Sequence, residues 1–434
     1  MNNLFNIYLL GIILFITYAC QEKRQKVITF KENGSWCWFQ DERAIIHNNQ
    51  LIFGSVADRY GKNGKALNGN IEVTSYDLET NTHLGTFVLH KRLEADDHNV
   101  PAFLALQDAR LLSVYSKHNT DSLIRYRISK KTEAMEWEVE KTIEGTGGVT
   151  YSNLHFLQSE NNGKGRIYNF YRGANRTPYY IFSDDEGESW QKGYNLIHKT
   201  RFPYLKYASD GKSKIHFITT ESHPVFMGCS IYHGYIENEK VYGSDGTLIR
   251  ELKDSPIQPS EVTNIFKGDT LNNAWSIDLH LDEKGMPYIA YSVRKDIDHI
   301  QYRYARWDGN SWSDHFLAYA GRALYEAEFH YSGLVALDPD NPDVVYISTD
   351  ADPVSDTPLI SSTDQLRHYE IFRGTTTDSG ESWAWEPLTQ NSNQDNIRPI
   401  MPKGNGQFKV VLWLRGSIKS YTDYNFDVVG FVNR

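Results

Sequence analysis

The stretch DDHNVPAFLALQDARLLSVYSKHN, Asp96 to Asn119, carries two histidines, His98 and His118, twenty positions apart and each followed by asparagine. Between them the chain reads as a strand, a turn and a second strand. Imidazole titrates near neutrality and accepts a proton when neutral, so such a pair suits general acid–base work. Two other side-chain types extend that chemistry. A tyrosine hydroxyl can deliver a proton to a leaving oxygen, and arginine stays cationic and forks onto a carboxylate or sulfate. Tyr151 stands in VTYSNLHF, Arg172 closes the strand-like RIYNFYR, and RFPYLKYASDG offers Tyr204 and Tyr207. The bland alternative is that DDHN and KHN are polar turn residues capping neighbouring strands.

A second constellation lies in HPVFMGCSIYH, with His223, Cys229 and His233 inside eleven residues, and His280 follows in WSIDLHLD. Nitrogen and sulfur donors of this kind suit a closed, tetrahedral and therefore structural zinc site. A core thiol among unrelated imidazoles is the competing reading. DPDNPD, Asp338 to Asp343, lacks the spacing of a calcium loop and reads as a solvated turn.

These residues need a scaffold, and the sequence describes one. The chain has 434 residues, 40% hydrophobic and 23% charged, with 28 Tyr and 10 Trp. Strand-like runs recur (KVITF, RLLSVYS, KIHFITT, MPYIAYSV, FKVVLWLR), each bounded by Gly, Asn, Asp or Pro, while helical periodicity is scarce. SDDEGESW (Ser183 to Trp190) and TTDSGESW (Thr376 to Trp383) both fit S/T-x-D-x-G-x-x-W, the Asp-box, in which Asp and the turn Gly cap a hairpin and Trp packs between sheets. WDGNSW keeps the core of that pattern and SKKTEAMEW is a degenerate copy. Their final tryptophans lie 53, 122 and 71 residues apart, a period near 60 with one unit skipped. That period predicts roughly seven units, an all-β, seven-bladed β-propeller with Asp-box hairpins. Asp-boxes are structural and sit away from a propeller's reactive face.

Residues 1–24 form a leader and linker, and residues 25–434 a single domain. LFNIYLLGIILFITYAC is too short for a confident membrane span and reads as a signal peptide, with TYAC resembling a lipoprotein cleavage box that would place a lipid on Cys20. The expected location is therefore outside the cytoplasm, on the outer membrane or cell surface, with a periplasmic or secreted form as alternative. The remaining thiols, Cys37 and Cys229, make no disulfide framework, and Cys37 between two tryptophans reads as a buried structural thiol. A formal charge of −10 disfavours nucleic acid.

The blocks GSWCWFQDERAI, DDHNVPAF, YSKHN, VTYSNLHF, HYSGLVALDPDNPDVVYIS and DNIRPIMP together resemble BNR-repeat propellers of the ulvan lyase type, from about residue 30 to the C-terminus. The resemblance implies β-elimination in a sulfated, uronate-containing polysaccharide. That reaction needs the uronate carboxylate neutralised, a base for the C5 proton and an acid for the departing O4. By this resemblance the catalytic set is His98, His118, Tyr151, Arg172 and Tyr204, with His98 as preferred base and Tyr151 as preferred acid. Asp96 and Asp97 brace the histidine loop. Tyr207, read as sharing a strand face with Tyr204, joins Arg201, Asn99 and Asn119 as substrate-binding residues, and Arg176 or Arg201 is the substitute for Arg172. The resemblance also adds weight to zinc on His223, Cys229, His233 and His280. A monomer whose partner is the sulfated polysaccharide is expected, touching membrane only through its lipid. Two rivals remain: an Asp-box glycoside hydrolase of sialidase type, for which Arg398, Glu326 and Glu328 are the nearest candidates, and a non-catalytic glycan-binding lipoprotein.

Overall fold

The computed structural model describes residues 26–198, 202–226 and 228–433. Seven antiparallel sheets follow one another along the chain. Blade 1 begins with the strand Ala44–His47, blade 2 with Ala102–Ala105, blade 3 with Thr150–Leu157, blade 4 with Leu205–Ser209, blade 5 with Asn273–Leu281 and blade 6 with Val335–Leu337. Blade 7 joins Asp395–Ile400, Lys409–Ser420 and Asp423–Asn433 to the N-terminal strand Ile28–Lys31, which is its outermost member. The first and last described strands thus share one sheet, and the ring closes through hydrogen bonds rather than through a loop. This is the expected seven-bladed β-propeller.

From blade 1 through blade 7, each first strand neighbours the first strand of the next blade, so these strands wall a central channel. Second strands such as Leu111–Ser116 and Pro287–Arg294 are buried along their whole length, because the adjacent blades cover both faces. That is why LLSVYS and PYIAYSVR do not alternate apolar with polar. Outer strands such as Gln191–Asn195 are largely exposed.

Both full Asp-boxes turn the last hairpin of their blade in the same way. Ser183 Oγ donates to Asp185 Oδ1 at 2.8 Å and accepts from Gly187 N, and Asp185 Oδ1 accepts from Ser189 N. Thr376, Asp378, Gly380 and Ser382 repeat those bonds. Gly187 and Gly380 have φ of +87° and +97°, which a side chain would resist. Trp190 packs edge-on against Tyr126 of blade 2, and Trp383 against Tyr304 of blade 5, so each box bonds its blade to the preceding one.

The segment 36–43 fills the middle of the channel. Trp38 stacks on Trp275 at 4.0 Å and on Tyr331 at 5.1 Å, and its Nε1 donates to Ser332 O. Cavities are left at both ends. Cys37 is buried as expected, and Cys37 and Cys229 are both free thiols. Among the described residues no helix is long and apolar enough to cross a membrane. The leader and Cys20 lie outside the described residues.

Candidate active site

One cavity, of about 370 Å³, opens where the chain enters the first strands of the blades. His98 belongs to a single 3-10 turn, Asp97–Asn99, just ahead of the strand Ala102–Ala105. His118 follows the partner strand Leu111–Ser116, and the register Ala102↔Val114 folds the two strands into one hairpin. A spacing of twenty therefore returns the second imidazole beside the first. Their rings stack at 3.7 Å and 12°.

Asp96 holds the pair. Its Oδ1 accepts from the His98 backbone N–H and faces His98 Nδ1 at 2.7 Å, while Oδ2 faces His118 Nδ1 at 2.8 Å. Glu94 Oε2 accepts from the His118 backbone N–H. Asp97 reaches both ways: its Oδ1 stands 3.1 Å from His98 Nδ1, and its Oδ2 accepts from Arg398 Nη1 at 2.5 Å with both of those side chains fully buried. Arg398 also donates to Trp36 O. Both aspartates brace His98 as expected: Asp96 faces both imidazoles, and Asp97 faces His98 while anchoring the loop to Arg398.

These contacts set the charges. Burial opposes charge on His98, but Cys37, Asp96 and Tyr151 outweigh it and lift its pKa well above the usual imidazole value. Burial likewise opposes ionisation of Asp96, yet His98 and His118 hold it well below the usual carboxylate range. His118 is depressed to about 4 by burial and by the neighbouring His98 cation. The pair therefore carries one proton on the buried ring and leaves the ring nearer solvent neutral. Cys37, Asp97 and His98, and likewise Asp96, His98 and His118, place potential metal-ligand atoms within 4.8 Å of one another. Asp96 spends both oxygens on imidazole nitrogens, which makes that set a proton-holding device rather than a metal cage.

Blade 3 supplies the next groups. Thr150 lies opposite Arg172, and the register then slips before Asn153↔Phe170. Tyr151 sits in that bulge at φ +64°, a conformation that re-aims its side chain. Its ring lies 5.6 Å from His98 and 4.8 Å beneath the Arg172 guanidinium. Arg172 Nη1 donates to the Tyr204 hydroxyl at 3.0 Å. Tyr204 and Arg172 wall the cavity, whereas Tyr151 lies behind them beside a smaller pocket. All five expected catalytic residues thus converge.

Other expectations fare differently. Tyr207 does not share a face with Tyr204: it stands three positions further on, an odd step on a strand, and it stacks on Phe170 at 4.3 Å and reaches the cavity at the far end of the channel. Asn99 is fully buried, with its side chain on Glu94, and does not face substrate space. Asn119 and Arg176 do line the cavity. Arg201 lies outside the described residues. Sequence reasoning missed Tyr421, whose ring meets both imidazoles edge-on at 5.2 and 5.3 Å, because it arrives on the hairpin turn of blade 7. It also missed Glu94 and gave Glu328 only to the hydrolase rival; Glu328 lines the cavity with its pKa raised by burial.

The expected zinc quartet does not assemble. His233 Nδ1 is bonded to Ser244 Oγ at 2.7 Å and its Nε2 to His216 Nδ1 at 3.1 Å, so neither nitrogen is left for an ion. Cys229 faces the Ser222 hydroxyl and three backbone carbonyls, and burial pushes its thiol up to about 11. His223 packs against Tyr204 and His330 by the active-site cavity, whereas His280 lines the far-end cavity.

The profile of the BNR repeat-containing family matches residues 65–320. No curated protein matches the chain. Two solved structures of a PL25 ulvan lyase, one of them bound to -[GlcA(1-4)Rha3S]-, superpose with a TM-score of 0.65 at 14% identity, covering 93% of this chain and 95% of theirs. The polysaccharide lyase Uly1 superposes with a TM-score of 0.60 at 10% identity, covering 94% of this chain and 99% of that one. At such identities the likeness is one of fold.

Proposed function

This chain belongs to the BNR repeat-containing family, and on the geometry of its site we propose that it is an exported polysaccharide lyase that cleaves a sulfated, uronate-containing polymer of the ulvan kind by β-elimination. The observation that carries this reading is one cavity walled by a neutral imidazole, a cation and a phenol whose hydroxyl accepts from that cation.

Each group has a task. Arg172, charged and walling the cavity, meets the uronate carboxylate and makes the C5 proton more acidic. The base changes from the sequence-based choice. His98 is held protonated and cannot accept, while His118 is neutral with Nδ1 tied to Asp96, leaving Nε2 to take the C5 proton. The acid changes too, from Tyr151, which does not line the cavity, to Tyr204, which does: as the C4–O4 bond breaks and C4=C5 forms, the Tyr204 hydroxyl gives its proton to O4. The bond from Arg172 aims that proton outward and stabilises the phenolate left behind. Tyr151 supports Arg172 from behind.

The hydrolase reading has less support. Arg398, its best arginine, is fully buried on Asp97, and Asp96 is occupied by two imidazoles. The proposal extends to location: the leader carries the chain out of the cytoplasm and a lipid on Cys20 holds it at the membrane. The deciding experiment incubates the protein with ulvan and follows the ultraviolet absorbance of unsaturated uronate together with chain length. Rising absorbance with shortening chains is expected. Shortening without absorbance would make the protein a hydrolase, and retention without either a binding protein.

A further inference from the structure

The larger cavity, of about 520 Å³, lies at the far end of the channel, lined where the first strands leave it rather than where they enter. In blade 3 the catalytic side holds Tyr151 and the far side His155; in blade 5 the far side begins at Leu279. We propose that this end binds a divalent transition cation, of the Zn²⁺ type, through Glu42, Asp278 and His280.

Three observations point there. Asp278 and His280 are two residues apart on the first strand of blade 5, so D-L-H presents both side chains to one face. Glu42 comes from the channel segment that enters blade 1, and one ligand atom from each of the three lies within 4.8 Å of the others. The second observation is the spacing. His280 Nε2 stands 3.4 Å from Asp278 Oδ1 and 3.6 Å from Glu42 Oε1. Several imidazoles in this molecule bond a carboxylate at 2.6 to 2.8 Å, as His90–Glu140, His118–Asp96 and His299–Asp296 show, and a looser set, His98–Asp97, His330–Glu328 and His368–Asp395, stands at 3.1 to 3.3 Å. Donors about 2.0–2.2 Å from a tetrahedral ion are separated by roughly 3.4 Å, so the longer spacing fits atoms grouped around a shared cation.

The third is unmet bonding. His280 Nε2 is buried with no hydrogen-bond partner, and in the same cavity Asp41 Oδ2 and His155 Nε2 also lack one, facing each other only at 3.4 Å. Two carboxylates and one imidazole suit a borderline ion better than calcium, which prefers six to eight oxygens. Bound there, the ion would tie the entry segment of blade 1 to blade 5 across the channel.

The test uses the full chain, stripped with chelator and titrated calorimetrically with Zn²⁺ and, separately, Ca²⁺, with thermal unfolding in parallel. Expected are saturable uptake of one Zn²⁺ with a raised Tm, and weakening by about tenfold or more in both Glu42→Gln and His280→Gln. Glu42 is partly exposed, so its variant keeps the test valid if His280→Gln misfolds. His98→Gln should retain the equivalent. Absence of saturable binding, Ca²⁺ binding as tight as Zn²⁺, or an equivalent lost in His98→Gln and kept in Glu42→Gln would each overturn the proposal, and none of these readouts depends on lyase activity.

Discussion

Asp96 lets two adjacent imidazoles do different things. A single carboxylate faces both rings, and the deeper ring takes the proton because Cys37, Asp96 and Tyr151 outweigh its burial, leaving the shallower one free. With His118 as base, His118→Ala should lower kcat on ulvan by about 10²- to 10⁴-fold with the fold intact by circular dichroism; near-parent turnover would remove it from the mechanism. The pH profile follows from the same contacts. His118 accepts a proton only while neutral, and a pKa near 4 keeps it neutral from mildly acidic conditions upward. The acid limb of kcat/KM should therefore lie well below the usual imidazole value. After burial, the charge on His98 is the largest cause of that depression. Removing a cation makes protonation of its neighbour easier, so in His98→Gln the limb should move to higher pH. A limb that stays in place would mean that burial alone sets it.

The hairpin that carries both histidines explains which parts of the site could be read from sequence. Strand, turn and strand return the chain to its starting edge, so a local spacing of twenty encodes a spatial contact. Arg172 beside Tyr151 has the same origin, as cross-strand neighbours of one blade. Tyr207 was misplaced by taking its offset from Tyr204 as two positions when it is three, and the zinc quartet by treating sequence proximity as convergence when His233 points into blade 4 toward His216 and Ser244. The loop holding His98 has its own anchor, and it is non-local: Asp97 pairs with Arg398 from blade 7, both fully buried. Arg398→Met would leave the Asp97 carboxylate without its guanidinium partner and with only His98 at 3.1 Å; breaking a buried pair costs about 3–5 kcal/mol. Urea unfolding should show that loss, and activity should fall with it as the turn loosens. Adding Asp97→Asn should restore much of the stability, because the stranded charge is then gone. If Arg398→Met alone leaves the midpoint unchanged, the pair does not anchor the turn.

At the scale of the ring, the repeat was legible because every blade must solve the same packing problem, and Asp-box plus tryptophan is a repeated solution. Groups that meet only because the ring closes leave no local pattern, and Tyr421 is the clearest case. It sits at the turn between Lys409–Ser420 and Asp423–Asn433 in blade 7 yet touches both imidazoles beside blade 2. Its position therefore depends on closure, which rests on Ile28–Lys31 pairing with Asp423–Asn433. Phe30 is the apolar anchor of that short strand: it is 1% exposed and meets Phe53 and Tyr76 of blade 1 edge-on at 6.4 and 4.9 Å. One side chain thus joins the last sheet to the first. Phe30→Ala should cost about 3–5 kcal/mol through the cavity it leaves, measured as a lowered denaturation midpoint. Because the same sheet carries Tyr421, KM for the polymer should rise before global unfolding begins. A lowered midpoint with KM unchanged up to the transition would mean that the terminal strand supports the ring without positioning the site.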